Sequence, residues 1–223
     1  MGDVIRLSEW RAARERRRLS RAADAPVPRA GRARVEFFFD LSCPFSYISA
    51  ERVERVFDEI RWTPASTSAL RQSSMAADAV EQERLRAAAE RRAGELRLPL
   101  VWPEHWPAEV PAAMRAAAYA AEQGRGAAFV LAAGRLAFCG GFDLEDPEIL
   151  AEAAAAAGAS LDGCLAAAGD TGRDGAIESA GRRLLAAGVV GLPTLKVGAA
   201  LFSGEHRVAE AAAAARQRRI VAG

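Results

Sequence analysis

Cysteine, histidine and lysine are all scarce in this 223-residue chain: three Cys, two His and a single lysine, Lys196. Cys43, Cys139 and Cys164 are widely separated and form no C-x-x-C pair, which leaves no cysteine pair at metal-ligand spacing. An odd cysteine count likewise argues against a disulfide framework. No apolar run approaches the roughly 18 residues that a bilayer span requires, so no membrane partner is expected. The first residues, Met1-Gly2-Asp3-Val4-Ile5-Arg6-Leu7, lack a basic end followed by an apolar core. The expected address is therefore the cytoplasm. There is no charge excess either. Thirty Lys+Arg against 29 Asp+Glu leave a net +1, which argues against nucleic-acid binding through an overall basic field. No glycine-rich phosphate loop occurs, and no metal site is supported.

What abounds is alanine, about 53 residues, far above ordinary usage. With arginine supplying nearly all positive charge, this reads as coding bias, and it predicts abundant helix. The length fits one large domain, or one domain with an insertion. Residues 1–33 form an arginine-rich extension with a helix over Trp10–Ala22, broken by Ala25-Pro26-Val27-Pro28. It reads either as a docking helix or as a solvated extension.

Arg34–Asp40 is aromatic and β-branched, as a buried strand should be. A helix from Pro44 to about Ile60 and a strand over Arg61–Pro64 complete a βαβ unit with a right-handed crossover. Helical patterns follow over Ala76–Leu98, Pro111–Gln123, Ala127–Phe138, Pro147–Ala157 and Leu161–Ala168, interrupted by the proline-rich stretch Leu98–Pro107. A helix over Gly175–Ala187, a hairpin of Thr194–Val197 and Leu201–Phe202, and a helix over Glu205–Arg219 close the chain. The expected plan is an α/β domain of residues 34–65 and 176–221, split by a helical insertion of residues 66–175.

The sharpest chemical signal is Asp40-Leu41-Ser42-Cys43-Pro44-Phe45-Ser46-Tyr47, at the strand-to-helix junction. Pro44 suits the first helical turn, where its missing N–H is no loss. Cys43 then sits at a helix N-terminus, where unpaired amides and the positive dipole end favour a thiolate and are expected to lower its pKa.

A strand ending in Asp, then Cys-Pro-aromatic-x opening a helix, resembles the active site of the thioredoxin-fold DsbA family. Gly188-Val189-Val190-Gly191-Leu192-Pro193-Thr194-Leu195 resembles that family's second signature, G-V-x-G-x-P-T. The resemblance implies a thioredoxin-like fold split by an all-helical insertion. It also implies that Pro193 is cis and faces Cys43, with the Leu192 backbone offered to a bound thiol. Ser46 stands where dithiol members carry their second cysteine, so the usual intramotif disulfide cannot form.

Within the family the chain resembles more closely the branch of 2-hydroxychromene-2-carboxylate isomerases and kappa-class glutathione transferases, whose motif is S-P-[YF]-S. Cys43 takes the place of the first Ser, and Pro44, Phe45, Ser46 and Tyr47 match onward. Pro103–Pro107 with Ala113-Met114-Arg115, Gly141–Leu150 and Leu201–Arg207 resemble three further segments of the branch. The resemblance implies a low-molecular-weight thiol cofactor such as glutathione, held by Pro44, Phe45, Leu192, Pro193, Glu205 and His206. It implies catalysis by Cys43 and Ser46 and a small conjugated aromatic acid held by Trp102, Trp106 and Arg115; the oligomeric state stays open, with a homodimer among the alternatives. The branch's acid that meets glutathione's amine is replaced by His206, with Glu205 one residue earlier. A protein thiolate in place of Ser could also add to an electrophilic substrate directly.

Each of these residues has a plainer reading. His105 and His206 can be acid–base groups, yet His105 also reads as a polar loop residue. Trp102, Trp106 and Arg115 can equally be packing and surface residues, and Cys139 and Cys164 read as buried small hydrophobes. Three functions stay open: a thiol-dependent isomerase or transferase, a monothiol thiol–disulfide oxidoreductase working through Cys43, and a non-catalytic binding protein.

Overall fold

A computed structural model describes residues 35–70 and 79–221, with side chains to residue 218. The expected extension over residues 1–33, with its Trp10–Ala22 helix, lies outside the described residues, as does the expected helix start at 76–78. The chain divides into two units, Met1–Arg32 and Ala33–Gly223, and the fold is that of the second.

Strand β1 (Val35–Phe39) is central because nearly every residue in it is apolar and can be covered on both faces. Phe37 and Phe39 are fully buried in the larger core with Ile48, Val53, Phe129, Phe138, Leu150 and Val197. Phe38 points the other way, into a smaller core with Leu70, Leu184, Val189 and Leu192. The Phe37 and Trp62 rings meet edge to face at 5.0 Å, an arrangement aromatic quadrupoles favour.

Helix α1 (Pro44–Val56) follows, then β2 (Ile60–Pro64), which pairs parallel to β1 with Val35 opposite Ile60. The helix ends four residues before the expected Ile60. Phe57 turns extended at φ −119° and ψ 131°, its N–H bonded to Val53 O. Strands β3 (Thr194–Val197) and β4 (Ala200–Ser203) complete a four-stranded sheet of order β2-β1-β3-β4, with β3 antiparallel to both neighbours. Gly198, at φ +62°, opens the two-residue turn between them, a conformation such hairpins demand.

Between β2 and β3 lie α2 (Ala79–Leu96), α3 (Pro111–Glu122), α4 (Gly126–Gly140), α5 (Pro147–Ala157), α6 (Leu161–Gly169) and α7 (Asp174–Ala186); α8 (Val208–Val221) closes the chain. Alanine here is more than helix propensity. Ala113, Ala116, Ala117 and Ala120 of α3 are fully buried, so one helix face is a seam of methyl groups. At Gly181 an added Cβ would stand 2.8 Å from Ser66 O, so the missing side chain lets α7 press onto the 66–70 segment. No described helix is long and apolar enough to cross a membrane.

Candidate active site

Cys43 is the N-cap residue of α1, with φ −95° and ψ 116°, and Pro44 opens the helix as expected. The Cys43 N–H donates to Asp40 O at 3.1 Å, and its carbonyl accepts from Ser46 N at 3.0 Å. The half-buried thiol lies 3.6 Å from Leu192 O, to which it donates. The Leu192–Pro193 bond is cis, as the second signature implied. The carbonyls of the residues on either side of Leu192 are held in place. Thr194 Oγ1 and Ser203 Oγ both donate to Gly191 O at 3.0 Å, and Gly204 N donates to Pro193 O at 2.8 Å.

The electrostatics depart from the sequence expectation. Burial pushes the Cys43 thiol up to about 11. The Asp40 carboxylate adds to the rise; the Ser46 hydroxyl and the Ser46 and Phe45 N–H groups oppose it and lose. The helix terminus does act on the sulfur, but desolvation is the larger effect and favours the neutral thiol. Ser46 is nonetheless well placed. The Asp40 N–H donates to Ser46 Oγ at 3.2 Å, which leaves the hydroxyl proton for the sulfur.

Asp40 holds the loop together. Its carboxylate, 7% exposed, accepts Ser42 N at 2.9 Å, Ser42 Oγ at 2.7 Å and Thr67 N at 2.8 Å. The Gly181 contact seats the segment that carries Thr67. The Asp before the cysteine motif was visible in the sequence; its bond to Thr67 spans 27 residues and was not.

The proline-rich stretch reaches this loop. Trp106 Nε1 donates to Ser42 O at 3.0 Å, and the Trp102 and Trp106 rings lie 4.4 Å apart. Trp102 Nε1 donates to Glu90 on α2 at 2.8 Å. Arg86, also on α2, lies over both indoles, 5.1 Å from the Trp102 centroid and 5.3 Å from that of Trp106. Tyr47 OH bonds Pro99 O at 3.0 Å and Cys139 Sγ at 3.1 Å. Burial and the Cys139 contact push Tyr47 well above the ordinary phenol range. Cys139 is thus half-buried and hydrogen-bonded rather than a simple core residue, whereas Cys164 is fully buried as expected.

Two of the residues expected to bind ligand have internal partners instead. Arg115 gives its fork to Asp174, at 2.6 and 2.8 Å, and a third bond to Ala168 O at 3.0 Å. A carboxylate of the protein itself fills the place a substrate carboxylate would need. Glu205, 5% exposed, pairs with Arg92 Nε and, at 3.1 Å, with Arg52 Nη1. Two arginines already balance it, so the expected contact with a glutamyl amine is taken. His206, the next residue, is exposed, as is His105. Phe45 is half-buried, and Pro44 and Ser46 are buried beside the sulfur. Among the described residues no cluster of His, Cys, Asp and Glu could hold a metal ion.

The model of the DSBA-like thioredoxin domain matches residues 34–215. The chain belongs to the DSBA-like thioredoxin domain family. Solved structures agree on the fold. A 2-hydroxychromene-2-carboxylate isomerase superposes with a TM-score of 0.69 at 18% identity, covering 84% of this chain and 98% of its own. A probable DsbA oxidoreductase from Streptomyces coelicolor gives 0.67 at 22% identity, over 83% and 89%. The cytosolic disulfide reductase DsbM from Pseudomonas aeruginosa gives 0.61 at 14%, over 84% and 97%, and its structure with GSH gives 0.60 at 15%, over 84% and 98%. No curated protein matches the chain. At these identities the solved structures show the fold shared by isomerase and oxidoreductase members of the family.

Proposed function

We propose that the chain is a thiol-dependent isomerase acting on a small conjugated aromatic acid, with the attacking sulfur brought by a low-molecular-weight thiol of the glutathione class. The observation that carries this reading is the paired donor set at the head of α1, the Cys43 thiol and the Ser46 hydroxyl. With a pKa pushed up to about 11, Cys43 is protonated at neutral pH and serves as a hydrogen-bond donor. In the 2-hydroxychromene-2-carboxylate isomerase branch a serine stands at that position. Cys43 and Ser46 would together stabilise a bound thiolate, and the Leu192–Pro193 backbone would flank it. The exposed His206 is the group left at the 204–207 turn to meet the far end of the thiol.

The chemistry balances without an oxidant. In a cyclic hemiketal acid the ring C–O bond would open first, its hydroxyl proton passing to the phenol oxygen and leaving a carbonyl conjugated with the double bond. A bound thiol would then supply a sulfur that bonds reversibly to the far carbon of that double bond, so the bond can turn before the carbon–sulfur bond breaks and the thiol is released unchanged. Cys43 and Ser46 would hold that sulfur as the thiolate throughout. Thiol–disulfide exchange, by contrast, needs Cys43 itself as the thiolate, and the burial of its sulfur works against that.

The test is turnover of 2-hydroxychromene-2-carboxylate with and without glutathione by wild type, Cys43→Ser and Ser46→Ala. Expected is glutathione-dependent isomerisation, kept in large part by Cys43→Ser and reduced at least about tenfold by Ser46→Ala, as for loss of one preorganised donor. Turnover without any thiol that Cys43→Ser abolishes would make Cys43 the nucleophile. Reduction of a mixed disulfide with no isomerisation would favour the oxidoreductase. The absence of both would leave a binding protein.

A further inference from the structure

Arg115 was the arginine expected to meet a substrate carboxylate, and Asp174 occupies it. The structure offers a different one. Arg86 on α2 is half-buried, and among the described residues no carboxylate lies within ion-pair distance of it. Its one bond to a described residue is Nη2 to Trp106 O at 3.4 Å, near the limit of a hydrogen bond. Glu90, one turn along α2, is the nearby acid, and Trp102 Nε1 engages it.

A guanidinium centred over indole rings is attracted by their π-electrons, and that contact does not require its N–H donors to be spent on a carboxylate of the protein. Five such donors against one long bond leave hydrogen-bonding capacity that no other described residue takes up. The two indoles also tie this cation to the loop that bears the nucleophile-binding site. Trp106 touches Arg86 on one side, and its indole N–H holds Ser42 O, the residue before Cys43, on the other. The arrangement sets a guanidinium over two indoles in contact with each other, one of which bonds the loop that carries Cys43.

We propose that Arg86, with Trp102 and Trp106, forms the recognition site for the carboxylate and ring of an aromatic acid. The ring packs against the indoles, and the carboxylate takes the free edge of the guanidinium in a bidentate pair. This deepens the isomerase reading and rests on it for the identity of the reaction, but the binding site itself stands on the Arg86 geometry. It makes the charge of the ligand a condition of binding. It also separates the two arginines: Arg115 braces α3 against α7, and Arg86 faces the ligand.

Calorimetric titration of the full chain with benzoate, trans-cinnamate and 2-hydroxycinnamate, each paired with its neutral amide, tests the site. Wild type is expected to bind at least one acid about tenfold or more tightly than its amide, the scale of a charge-assisted bidentate contact. Arg86→Met should erase that preference. Arg86→Lys, which keeps the charge but loses the planar fork, should keep only part of it. Arg84→Met removes an exposed arginine from the same helix and should keep the full preference, which controls for net charge. Thermal melting confirms that each variant folds. Equal binding of acid and amide by wild type, no binding of either, or a preference that survives Arg86→Met overturns the proposal. Isomerase turnover on the same preparations is read separately. Intact acid preference without turnover refutes the reaction and keeps the site; turnover with no Arg86-dependent preference refutes the site and keeps the reaction.

Discussion

Asp40 and Glu205 are buried to nearly the same depth, 7% and 5% exposed, and their surroundings are opposite. Glu205 lies between two guanidinium groups, from α1 and α2, so its charge is cancelled where it stands. The Asp40 carboxylate receives only N–H and O–H donors, and its negative charge extends to the neighbouring sulfur. A neutralised buried carboxylate is a clamp between elements. One satisfied by dipoles alone still acts on its neighbours through its field. A buried carboxylate thus clamps elements at Glu205 and acts through its field at Asp40.

The largest effect that sharpens this contrast is expected from Glu205→Ala. Removing one partner of a buried pair costs about 3–5 kcal/mol, reduced here to about 3 because both arginines keep some solvent contact. Urea unfolding should show that loss, and melting should fall by about 6–12 °C. A loss below about 1 kcal/mol would mean that the cluster is not a clamp.

Next comes the pH dependence of Cys43. A thiol whose folded pKa is raised from 9.0 to about 11 binds a proton more tightly in the folded state. Its contribution is fully present below pH 9 and is lost as pH rises through 11, on the order of 2 kcal/mol. Unfolding at pH 8 and pH 11 should show this loss in wild type and a smaller one in Cys43→Ser.

Asp40→Asn addresses the field directly. Removing the negative charge should lower the Cys43 pKa, read as faster iodoacetamide alkylation at pH 8. The new amide also sets a donor against the Thr67 or Ser42 N–H, at a cost of about 1–2 kcal/mol. An unchanged alkylation rate would show that the sulfur does not feel Asp40. The smallest effect is expected one residue beyond the clamp, where His206→Ala at an exposed position should stay within about 0.5 kcal/mol in the same urea titration.

Much of the architecture was legible because it rests on local rules. Pro44 after a strand of three phenylalanines marked the α1 start, the hairpin needed its Gly198, and the alanine runs gave helices. The cis proline and the split fold came through two signatures about 150 residues apart. What escaped was set by tertiary approach. Glu205 was matched by position to a thiol-binding turn, but its arginines come from positions 52 and 92, which no spacing rule connects to it. Arg86 carries no motif and acquires meaning only when Trp102 and Trp106 arrive beneath it. The Cys43 pKa was misjudged because a helix terminus is visible in a sequence and desolvation is not.

The peptide group joining Ser42 to Cys43 is gripped at both ends, its oxygen by the Trp106 indole and its N–H by Asp40 O. A peptide plane pinned in this way cannot swivel, so the Cα–Cβ bond of Cys43 sets out in one direction and the sulfur moves only by rotation about that bond.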